Sequence, residues 1–443
     1  MHQRTRRMVW LVGTVGLLLG LPALGRAEEA EPAMNAADTA WMLVSTALVL
    51  FMTPGLALFY GGMVRKKNVL GTMMHSFFIM ALVPVLWMVV GYSLAFGPDL
   101  GGLGFIGGFD HVLLRGITPD ALSGTIPTLI FVAFQGMFAV ITPALIAGAY
   151  AERIKFISYA IFTGLWLLLV YAPICHWVWG TGGWLFEKGA LDFAGGTVVH
   201  MSAGFSALAF AIVLGKRRGY GTTNMSPHNL ALTLTGVGVL WFGWFGFNAG
   251  SALAASATAG LAFLTTFLAP AAAGLSWSIA EWLRTGKPTA LGTSSGIVAG
   301  LVAITPAAGF VGPGSAVVIG LLAGTICYGA VLLKNPLGYD DSLDAFGVHG
   351  VGGMLGALLT GVFASWGGWG KPVESLLFHT DMSAAVGQFS VQVISVIATA
   401  VYSLVVTFVI LMVVKVLFGL RVTDQVELEG LDLTQHGEAN YHF

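Results

Sequence analysis

Long runs of uncharged residues constrain the fold of this chain more than any other feature. The first run lies between Asp38 and Arg65, and three more occupy residues 68–98, 121–151 and 156–186. A helix that crosses the hydrocarbon core of a bilayer needs roughly 20 mostly apolar residues, so each run is long enough to span a membrane. Charged residues make up 9% of the sequence, against about 25% in soluble domains. Because the runs do not alternate between polar and apolar residues, they predict α-helices and exclude a transmembrane β-barrel.

The rest of the chain continues this pattern. Further uncharged runs occupy residues 193–215, 219–280, 288–333, 345–370 and 382–414. Two of them are too long for one crossing. Residues 248–251 divide the run at 219–280, and Pro306 and Pro313 divide the run at 288–333. The sequence therefore predicts an all-α polytopic membrane protein with eleven transmembrane helices, of which the last is a long C-terminal helix.

The first 27 residues have the organisation of a signal peptide. Three arginines precede a short apolar stretch at 9–21, and the small residues Gly25 and Ala27 follow it as a candidate cleavage site. The apolar stretch is shorter than the roughly 20 residues of a spanning helix, and a short additional transmembrane helix is the alternative interpretation. We expect residues 1–27 to be a signal peptide and residues 28–38 to form a short periplasmic N-terminus.

The distribution of Lys and Arg predicts the orientation of the chain. With the N-terminus outside the cytoplasm, thirteen of these residues fall on the inner side and three on the outer side. The inner set is Arg65, Lys66, Lys67, Arg153, Lys155, Lys216, Arg217, Arg218, Arg284, Lys287, Lys334, Lys415 and Arg421. The outer set is Arg115, Lys188 and Lys371. Because cytoplasmic loops carry an excess of Lys and Arg, this distribution supports an outer N-terminus and an odd number of helices.

These boundaries leave a transmembrane domain at 39–418 and a cytoplasmic C-terminal tail at 419–443. The tail is polar and acidic. Its composition is compatible with a disordered segment and equally with a docking or regulatory segment.

Two histidines open apolar segments in matched settings. His200 follows Asp192 and two adjacent glycines, and His349 follows Asp344 in a shorter version of the same segment. Five predicted crossings separate them, and an odd number inverts the second segment relative to the first. This arrangement predicts an inverted repeat, helices 1–5 against 6–10, with a substrate path between the halves near the middle of the membrane. Ionisable residues in spanning segments are functional candidates, and histidine exchanges protons near neutral pH.

Asp192 stands just before the fifth predicted helix. A carboxylate at this place can accept backbone N–H groups and is stabilised by the positive end of the helix, which is the preferred interpretation. The alternative is that its charge draws a cation toward the outer mouth, and both can hold at once. His75 and His176 have no matched counterpart, so we interpret them as core residues with satisfied hydrogen bonds.

Six aromatic residues lie in or at the ends of predicted spans. They are Phe134, Phe138, Trp179, Trp241, Trp244 and Phe247. An interfacial aromatic belt together with core packing explains them. The alternative is a cage in which ring faces replace the water around a small cation, with the hydroxyl of Ser251 as an additional acceptor. The residue types by themselves leave both interpretations open.

Other chemistry has little support in the sequence. Two histidines without a third ligand at a fixed spacing do not make a zinc site, and Lys287 lacks the upstream glycine of a phosphate-binding loop. There is no basic patch interleaved with aromatic residues that would suggest nucleic acid. Cys175 and Cys327 lie in apolar runs and are interpreted as small buried residues. We therefore expect neither enzymatic activity nor a cofactor.

Six motifs follow one another along the chain. They are PGLALFYGG at 54–62, AERI at 151–154, LDFAGGTVVH at 191–200, GWFGFNAGS at 243–251, FGVHG at 346–350 and HGE at 436–438. Together they resemble the ammonium transporter family of Amt, methylamine permease and Rhesus proteins, on its bacterial Amt side. The resemblance implies an eleven-helix fold with an inverted five-plus-five repeat, usually a homotrimer with one pore per subunit. It also implies the inner membrane of a bacterial cell.

The resemblance implies roles for several aromatic residues. Phe138, Trp179 and Ser251 match the outer ammonium-recognition site, and Phe134 matches a neighbouring aromatic residue. Phe138 and Phe247 match the stacked rings of a gate that closes the pore below this site.

Further roles are implied for the pore and the tail. His200 and His349 match the pair of histidines that lines the pore, and Asp192 matches the essential carboxylate of the family. Trp244 matches another neighbouring aromatic residue. Residues 419–437 resemble the tail through which a PII-type signalling protein can block the inner mouth.

The leading hypothesis is ammonium transport. Ammonium binds at the outer aromatic site and is deprotonated near the gate, and ammonia passes the two histidines with or without the proton. One departure from the family concerns the outer mouth, where the loop at 180–189 is one residue longer and carries Trp184. The competing hypotheses are an ammonium sensor with little transport, and a water or gas channel that gives no electrical signal with ammonium.

Overall fold

The computed structural model describes residues 33–367 and 373–440, and these residues are mostly helical. Within them, ten helices are long and apolar enough to cross a membrane, and one further apolar helix is shorter. In chain order the eleven helices are α1 (Ala36–Met63), α2 (Val69–Leu86, Trp87–Gly91 and Tyr92–Phe96), α3 (Thr128–Tyr150), α4 (Phe156–Trp166, Leu167–Tyr171 and Ala172–Trp179), α5 (Gly196–Met201 and Ser202–Leu214), α6 (Leu230–Gly250), α7 (Ala257–Thr285), α8 (Ala290–Ile304), α9 (Pro313–Leu337), α10 (Phe346–Gly350 and Val351–Phe363) and α11 (Met382–Phe418). The five- or six-residue segments in α2, α4, α5 and α10 are π turns.

The helix α8 is the short one. Its 15 residues rise about 22 Å at 1.5 Å per residue, against a hydrocarbon core of about 30 Å. Thr289 caps its start by accepting the N–H of Gly292 at 2.9 Å, and Pro306 follows its end. The predicted polytopic helical fold is confirmed, whereas the total of eleven crossings stays a prediction.

The helix α1 has a defined N-terminal cap. The helix begins at Ala36, inside the segment predicted to precede the membrane, because the side chain of Asn35 accepts the N–H groups of Ala37 and Asp38 at 2.9 and 3.1 Å. Asp38 is therefore in the first turn of the helix. The predicted signal peptide, residues 1–27, lies outside the described residues.

Short elements occupy the connections between the helices. They are 3₁₀ turns at Lys66–Asn68 and Val112–Leu114, a helical turn at Trp184–Glu187, and the antiparallel strands β1 (Leu122–Ser123) and β2 (Ile126–Pro127). The strand pair is tied to α1, since Asp38 accepts the hydroxyl of Thr125 at 2.5 Å. Asp38 also accepts the N–H of Ala255 at 2.8 Å, which fixes the loop after α6.

The helices α5 and α10 contact each other reciprocally through glycines. Gly204 lies four residues after His200, and a Cβ on it would overlap the backbone nitrogen of Gly350. Gly353 lies four residues after His349, and a Cβ on it would lie 2.8 Å from the carbonyl oxygen of Gly196. Such close backbone approach requires glycine. The two π turns that open these helices therefore cross at the centre of the bundle with matched contacts, as the predicted inverted repeat requires.

A buried ion-pair network joins four connections at one end of the bundle. Glu152, after α3, accepts hydrogen bonds from Arg65, after α1, at 3.0 Å and from Arg217, after α5, at 2.9 Å. Asp340, after α9, accepts from Arg217 at 2.9 Å. Burial opposes ionisation of Glu152, but Arg217 and Arg65 hold the pKa of this carboxyl below its usual value. The connections after helices 1, 3, 5 and 9 thus share one end, as alternating crossings require.

The C-terminal segment packs against the same end. It contains the short helices α12 (Asp424–Glu429) and α13 (Leu431–His436). Oδ1 of Asp432 accepts the N–H of Gly71 at 2.8 Å, and the N–H of Leu431 donates to Asn68 at 2.9 Å. As far as Asn440, the tail is therefore folded onto its own chain.

Candidate functional site

A cavity of about 310 Å³ lies where the ends of α2, α4 and α6 meet the start of α3; we name it the vestibule. Its lining residues are Phe96, Phe131, Gln135, Phe138, Trp179, Phe186, Phe193, Ser251 and Leu253. Six of these nine are aromatic. A cavity lined by ring faces and a few polar atoms suits a small cation, because the ring quadrupole attracts positive charge.

Two stacked phenyl rings form the floor of the vestibule. The ring centroids of Phe138 and Phe247 lie 4.2 Å apart with an interplanar angle of 29°. Trp179 meets Phe138 edge-on at 5.8 Å, and Phe134 also packs against Phe138, with ring centroids 4.9 Å apart. Phe138 and Phe247 are almost completely buried. The stacked pair therefore separates the vestibule from the interior, and a solute passes only when these rings move.

Asp192 organises both the vestibule and the start of α5. Its two carboxylate oxygens accept the backbone N–H groups of residues 195–198 at 2.6 to 3.2 Å, together with the hydroxyl of Thr197. Gly195 makes this turn at φ 114, a conformation that glycine adopts at little cost. The carbonyl oxygen of Asp192 accepts the indole N–H of Trp179 at 2.9 Å. The side chain thus caps the helix, while the backbone of the same residue orients the Trp179 ring.

Ser251 lies at the end of α6, beside the stacked phenyl rings. Its hydroxyl donates to the carbonyl oxygen of Phe247 at 2.9 Å, and its oxygen can also accept hydrogen bonds. Leu253 follows at φ 56, an uncommon conformation for a residue other than glycine. The hydrogen bond from Ala255 to Asp38 holds this loop in place.

His200 and His349 form a stacked pair beneath the phenyl rings. Their Nδ1 atoms are 3.3 Å apart and their ring planes are 19° from parallel. His200 also stacks on Trp244 at 5.3 Å, and the indole of Trp244 is held by Thr305 at 2.9 Å. A hydrogen bond between two Nδ1 atoms needs a proton on one ring and a lone pair on the other. The pair therefore combines a proton donor with a proton acceptor.

Small cavities continue the path on both sides of the histidines. One is lined by Phe247, His200 and His349, and the next is lined by His349, Tyr60 and Asp344. Each holds about 10 Å³, roughly the space of one water molecule. The vestibule, the phenyl pair, the histidines and the second cavity therefore follow one another in that order.

A carboxylate that the sequence analysis missed caps the second histidine turn. Oδ2 of Asp341 accepts the N–H of Phe346 at 2.7 Å, and Asp341 precedes His349 by eight residues, as Asp192 precedes His200. Asp344, the residue matched in the sequence analysis, instead pairs with Lys334. Burial raises the pKa of Asp341 to about 6. The shared spacing of eight residues is the sequence signal that identifies this carboxylate.

The remaining predicted residues line none of the three cavities described above. Trp241 donates to the carbonyl oxygen of Thr266 at 3.1 Å and stacks on Phe267. The additional Trp184 packs against Trp177 at 5.7 Å and does not line the vestibule. Cys175 and Cys327 are buried.

The two unmatched histidines differ from each other. Both ring nitrogens of His176 are hydrogen-bonded, to Ala95 and Asp99. His75 packs against two tyrosine rings, but its Nδ1 has no hydrogen-bond partner in the described part of the chain. The interpretation of His75 as a fully satisfied core residue is therefore wrong, because its neighbours there are ring faces and not polar groups.

This chain is similar in sequence and fold to members of one protein family. The family model described as Ammonium Transporter Family matches residues 40–441. An ammonium transporter of Bacillus subtilis is 49% identical over 411 residues, which cover 92% of this chain and 99% of that protein. The crystal structure of Mep2 from Saccharomyces cerevisiae is similar with a TM-score of 0.81 and 37% identity, covering 88% of this chain and 88% of that one. A structure of a sensor Amt protein is similar with a TM-score of 0.82 and 31% identity, covering 90% and 98%. The chain therefore belongs to the ammonium transporter family.

Proposed function

We propose that this protein transports ammonium by binding it in the vestibule, deprotonating it at the phenyl pair and passing ammonia along the two histidines. The observation that carries the proposal is the order of the parts. An aromatic cavity, the stacked rings of Phe138 and Phe247, and the hydrogen-bonded rings of His200 and His349 follow one another through the bundle.

Recognition of ammonium rests on the aromatic cage. The faces of Trp179 and Phe138 attract a cation with about 0.5–2 kcal/mol each, depending on how far it is desolvated. The hydroxyl oxygen of Ser251 adds an acceptor for one of the four N–H bonds of ammonium. Potassium has a similar size and charge but donates no hydrogen bond, so the serine favours ammonium.

Deprotonation at the gate follows from the cost of moving a charge into the apolar interior. An ion at the centre of a membrane costs several kcal/mol even on permissive scales, and the cavities beyond Phe247 hold about one small molecule each. Neutral ammonia carries no charge and therefore avoids this cost, and it is small enough for these cavities. The proton follows through the pair of His200 and His349, whose shared hydrogen bond joins a donor to an acceptor. A proton that stayed on the vestibule side would instead give ammonia uptake without a current.

The setting of the protein is also part of the proposal. The N-terminus faces the periplasm of a bacterial cell and the tail faces the cytoplasm. In this orientation the vestibule opens on the periplasmic side of the inner membrane. Three copies associate as a homotrimer with one pore each. A PII-type signalling protein binds the cytoplasmic face, where the folded tail lies against the basic connection at Arg65. Family membership and the Lys and Arg distribution support this arrangement.

One observation favours a second candidate function. The structural similarity to a sensor Amt protein makes ammonium sensing with little transport the alternative. A channel for neutral molecules alone is the third possibility, since the phenyl gate and narrow pore would also pass ammonia.

Electrophysiology on supported membranes with purified protein tests the proposal. An ammonium jump should give a saturable current that potassium and sodium do not give, and liposomes without protein are the control. A sensor gives binding without sustained current. A neutral channel raises the internal pH of the liposomes without any current. Either result would overturn electrogenic transport.

A further inference from the structure

His176 attaches the end of α4 to the loop that follows α2. Its Nδ1 lies 3.0 Å from the carbonyl oxygen of Ala95, and its Nε2 lies 3.2 Å from Oδ1 of Asp99. The ring is completely buried. A carbonyl oxygen and an ionised carboxylate are acceptors only. To bond to both at once, the ring must carry a proton on each nitrogen.

The surroundings of Asp99 keep it ionised. Partial burial opposes ionisation, but the N–H of Gly104 and the ring of His176, together with the N–H of Gly102, hold the pKa of Asp99 below its usual value. The pair is therefore an imidazolium with a carboxylate, joined by a charge-assisted hydrogen bond that is stronger than a neutral one.

This pair touches two walls of the vestibule. Gly180 follows Trp179 directly, and a Cβ on it would lie 2.5 Å from Nδ1 of His176 and 2.8 Å from the carbonyl oxygen of Ala95. Ala95 precedes Phe96, which lines the vestibule together with Trp179. The ring of His176 thus sits between the backbone segments that carry two of the aromatic side chains.

Two other hydrogen bonds between this loop and the end of α4 come from N–H groups that do not titrate. The indole of Trp177 donates to the carbonyl oxygen of Phe105 at 2.8 Å. The backbone N–H of Trp184 donates to the carbonyl oxygen of Gly104 at 3.1 Å. Loss of the ionic contact alone would therefore loosen the loop without detaching it.

Other titratable side chains lie on the segments around this pair. They are Asp110 and His111 on the loop after α2, Glu187 and Asp192 after α4, Tyr92 on α2 and Tyr402 on α11. Within residues 33–367 and 373–440, the ring of His176 hydrogen-bonds to none of these side chains. Asp99 is therefore the titratable group that acts most directly on the protonation of the ring.

We propose that His176 is a positioning residue. Its doubly protonated ring binds the carboxylate of Asp99, a contact that we name the latch. The ammonium affinity of the vestibule therefore depends on the pH at its mouth. The latch is closed while both ring nitrogens are protonated. When one of the two protons is absent, a nitrogen lone pair faces an acceptor, and the contact becomes repulsive. The segments that carry Phe96 and Trp179 then separate and the cage weakens. This role rests on the proposed function, because it acts through the ammonium-binding cavity.

Nitrogen-15 NMR of the histidine side chains in the full-length protein in liposomes tests the protonation state. At pH 6.5 the wild type should show one imidazolium signal that is missing from His176→Gln. In Asp99→Asn this signal should change to a neutral imidazole, because the amide N–H of asparagine can donate to the bare Nε2. A single protonated nitrogen on His176 in the wild type would overturn the proposal.

Transport against pH tests the consequence. The half-saturating ammonium concentration of the wild type should rise about 3–10-fold across the pH range in which the imidazolium signal of His176 disappears, which corresponds to about 1 kcal/mol. Asp99→Asn should hold it constant, since its latch needs no second proton. His111→Gln, on the same loop, should behave as the wild type. An Asp99→Asn profile equal to that of the wild type would overturn the latch.

The two measurements separate failure of the latch from failure of the proposed function. A protein without ammonium current would refute transport, and the NMR comparison would still decide whether His176 carries two protons. Ammonium current with a singly protonated His176 would refute the latch and leave transport intact.

Discussion

Nδ1 of His200 lies 3.3 Å from Nδ1 of His349, within a stack that continues upward to Trp244 and the phenyl gate. One ring of a neutral pair carries its proton on Nδ1, and the other carries it on Nε2. A proton that arrives at one ring can shift the shared hydrogen bond and leave from the other. Both rings remain neutral before and after such a transfer, so the pore holds no permanent charge.

The contact between α5 and α10 predicts a sensitive glycine. Gly204→Ala would push a methyl group into the Gly350 backbone, which cannot retreat as a flexible side chain can. We expect a loss of about 1–3 kcal/mol from overpacking, together with loss of transport, because the histidine turns are forced apart. Thermal unfolding in detergent measures the first effect. Gly238→Ala is the control, since no atom lies within 4 Å of its added methyl group. Equal stability of the two variants would contradict the close contact.

The cage predicts a change of selectivity. Trp179→Leu and Ser251→Leu should reduce the preference for ammonium over potassium about fivefold, because each removes about 1 kcal/mol of cation–π or hydrogen-bond stabilisation. Competition of potassium with ammonium uptake at low concentration measures this preference. Trp241→Leu, which lies outside the pore, should leave it unchanged. Unaltered discrimination in the two cage variants would refute the assignment of the site.

The capping geometry predicts that Asp192 matters for stability as well as transport. Asp192→Ala removes the acceptor of four buried N–H groups, and a lost cap costs about 1–2 kcal/mol. Asp192→Asn keeps one acceptor oxygen and should lie between the alanine variant and the wild type. Unfolding temperatures of the three proteins test this order. A stable Asp192→Ala variant that merely binds ammonium weakly would instead indicate an electrostatic role.

The buried Asp341 predicts a stability that depends on pH. Folding raises its pKa from 3.8 to about 6, so the folded state holds the proton more tightly than the unfolded state. Stability should therefore decrease as the pH rises from about 4 to 6, by at most roughly 3 kcal/mol. Asp341→Asn should remove this slope. Asp344→Asn should instead destabilise the protein at neutral pH, because it breaks the ion pair with Lys334. A slope that survives in Asp341→Asn would contradict the burial of this carboxyl.

The spanning helices were predictable because a helix in lipid needs long apolar runs, which are visible in the sequence. The pairing of His200 with His349 followed from topology, since an odd number of crossings inverts the second segment. Asp341 was missed because Asp344 stands closer to His349 and has the same charge. Only the backbone turn decides which carboxylate reaches the start of the helix.

The walls of the vestibule were harder to foresee. Phe96, Phe131 and Phe186 come from three separate segments, and their convergence depends on how α2, α3 and the loop after α4 pack together. The docking of the tail was equally hard to foresee, because disordered and docked segments share a polar, acidic composition. The hydrogen bonds of Asp432 and Leu431 distinguish the two.

The central claim is that His200 and His349 carry the proton while ammonia crosses the pore. The most direct measurement is the ammonium-induced current of purified protein on a supported membrane, compared between the wild type and the double variant His200→Leu, His349→Leu. The account predicts a saturable current in the wild type and none in the variant, with the variant equally abundant and equally stable. A full, ammonium-selective current in the double variant would contradict it.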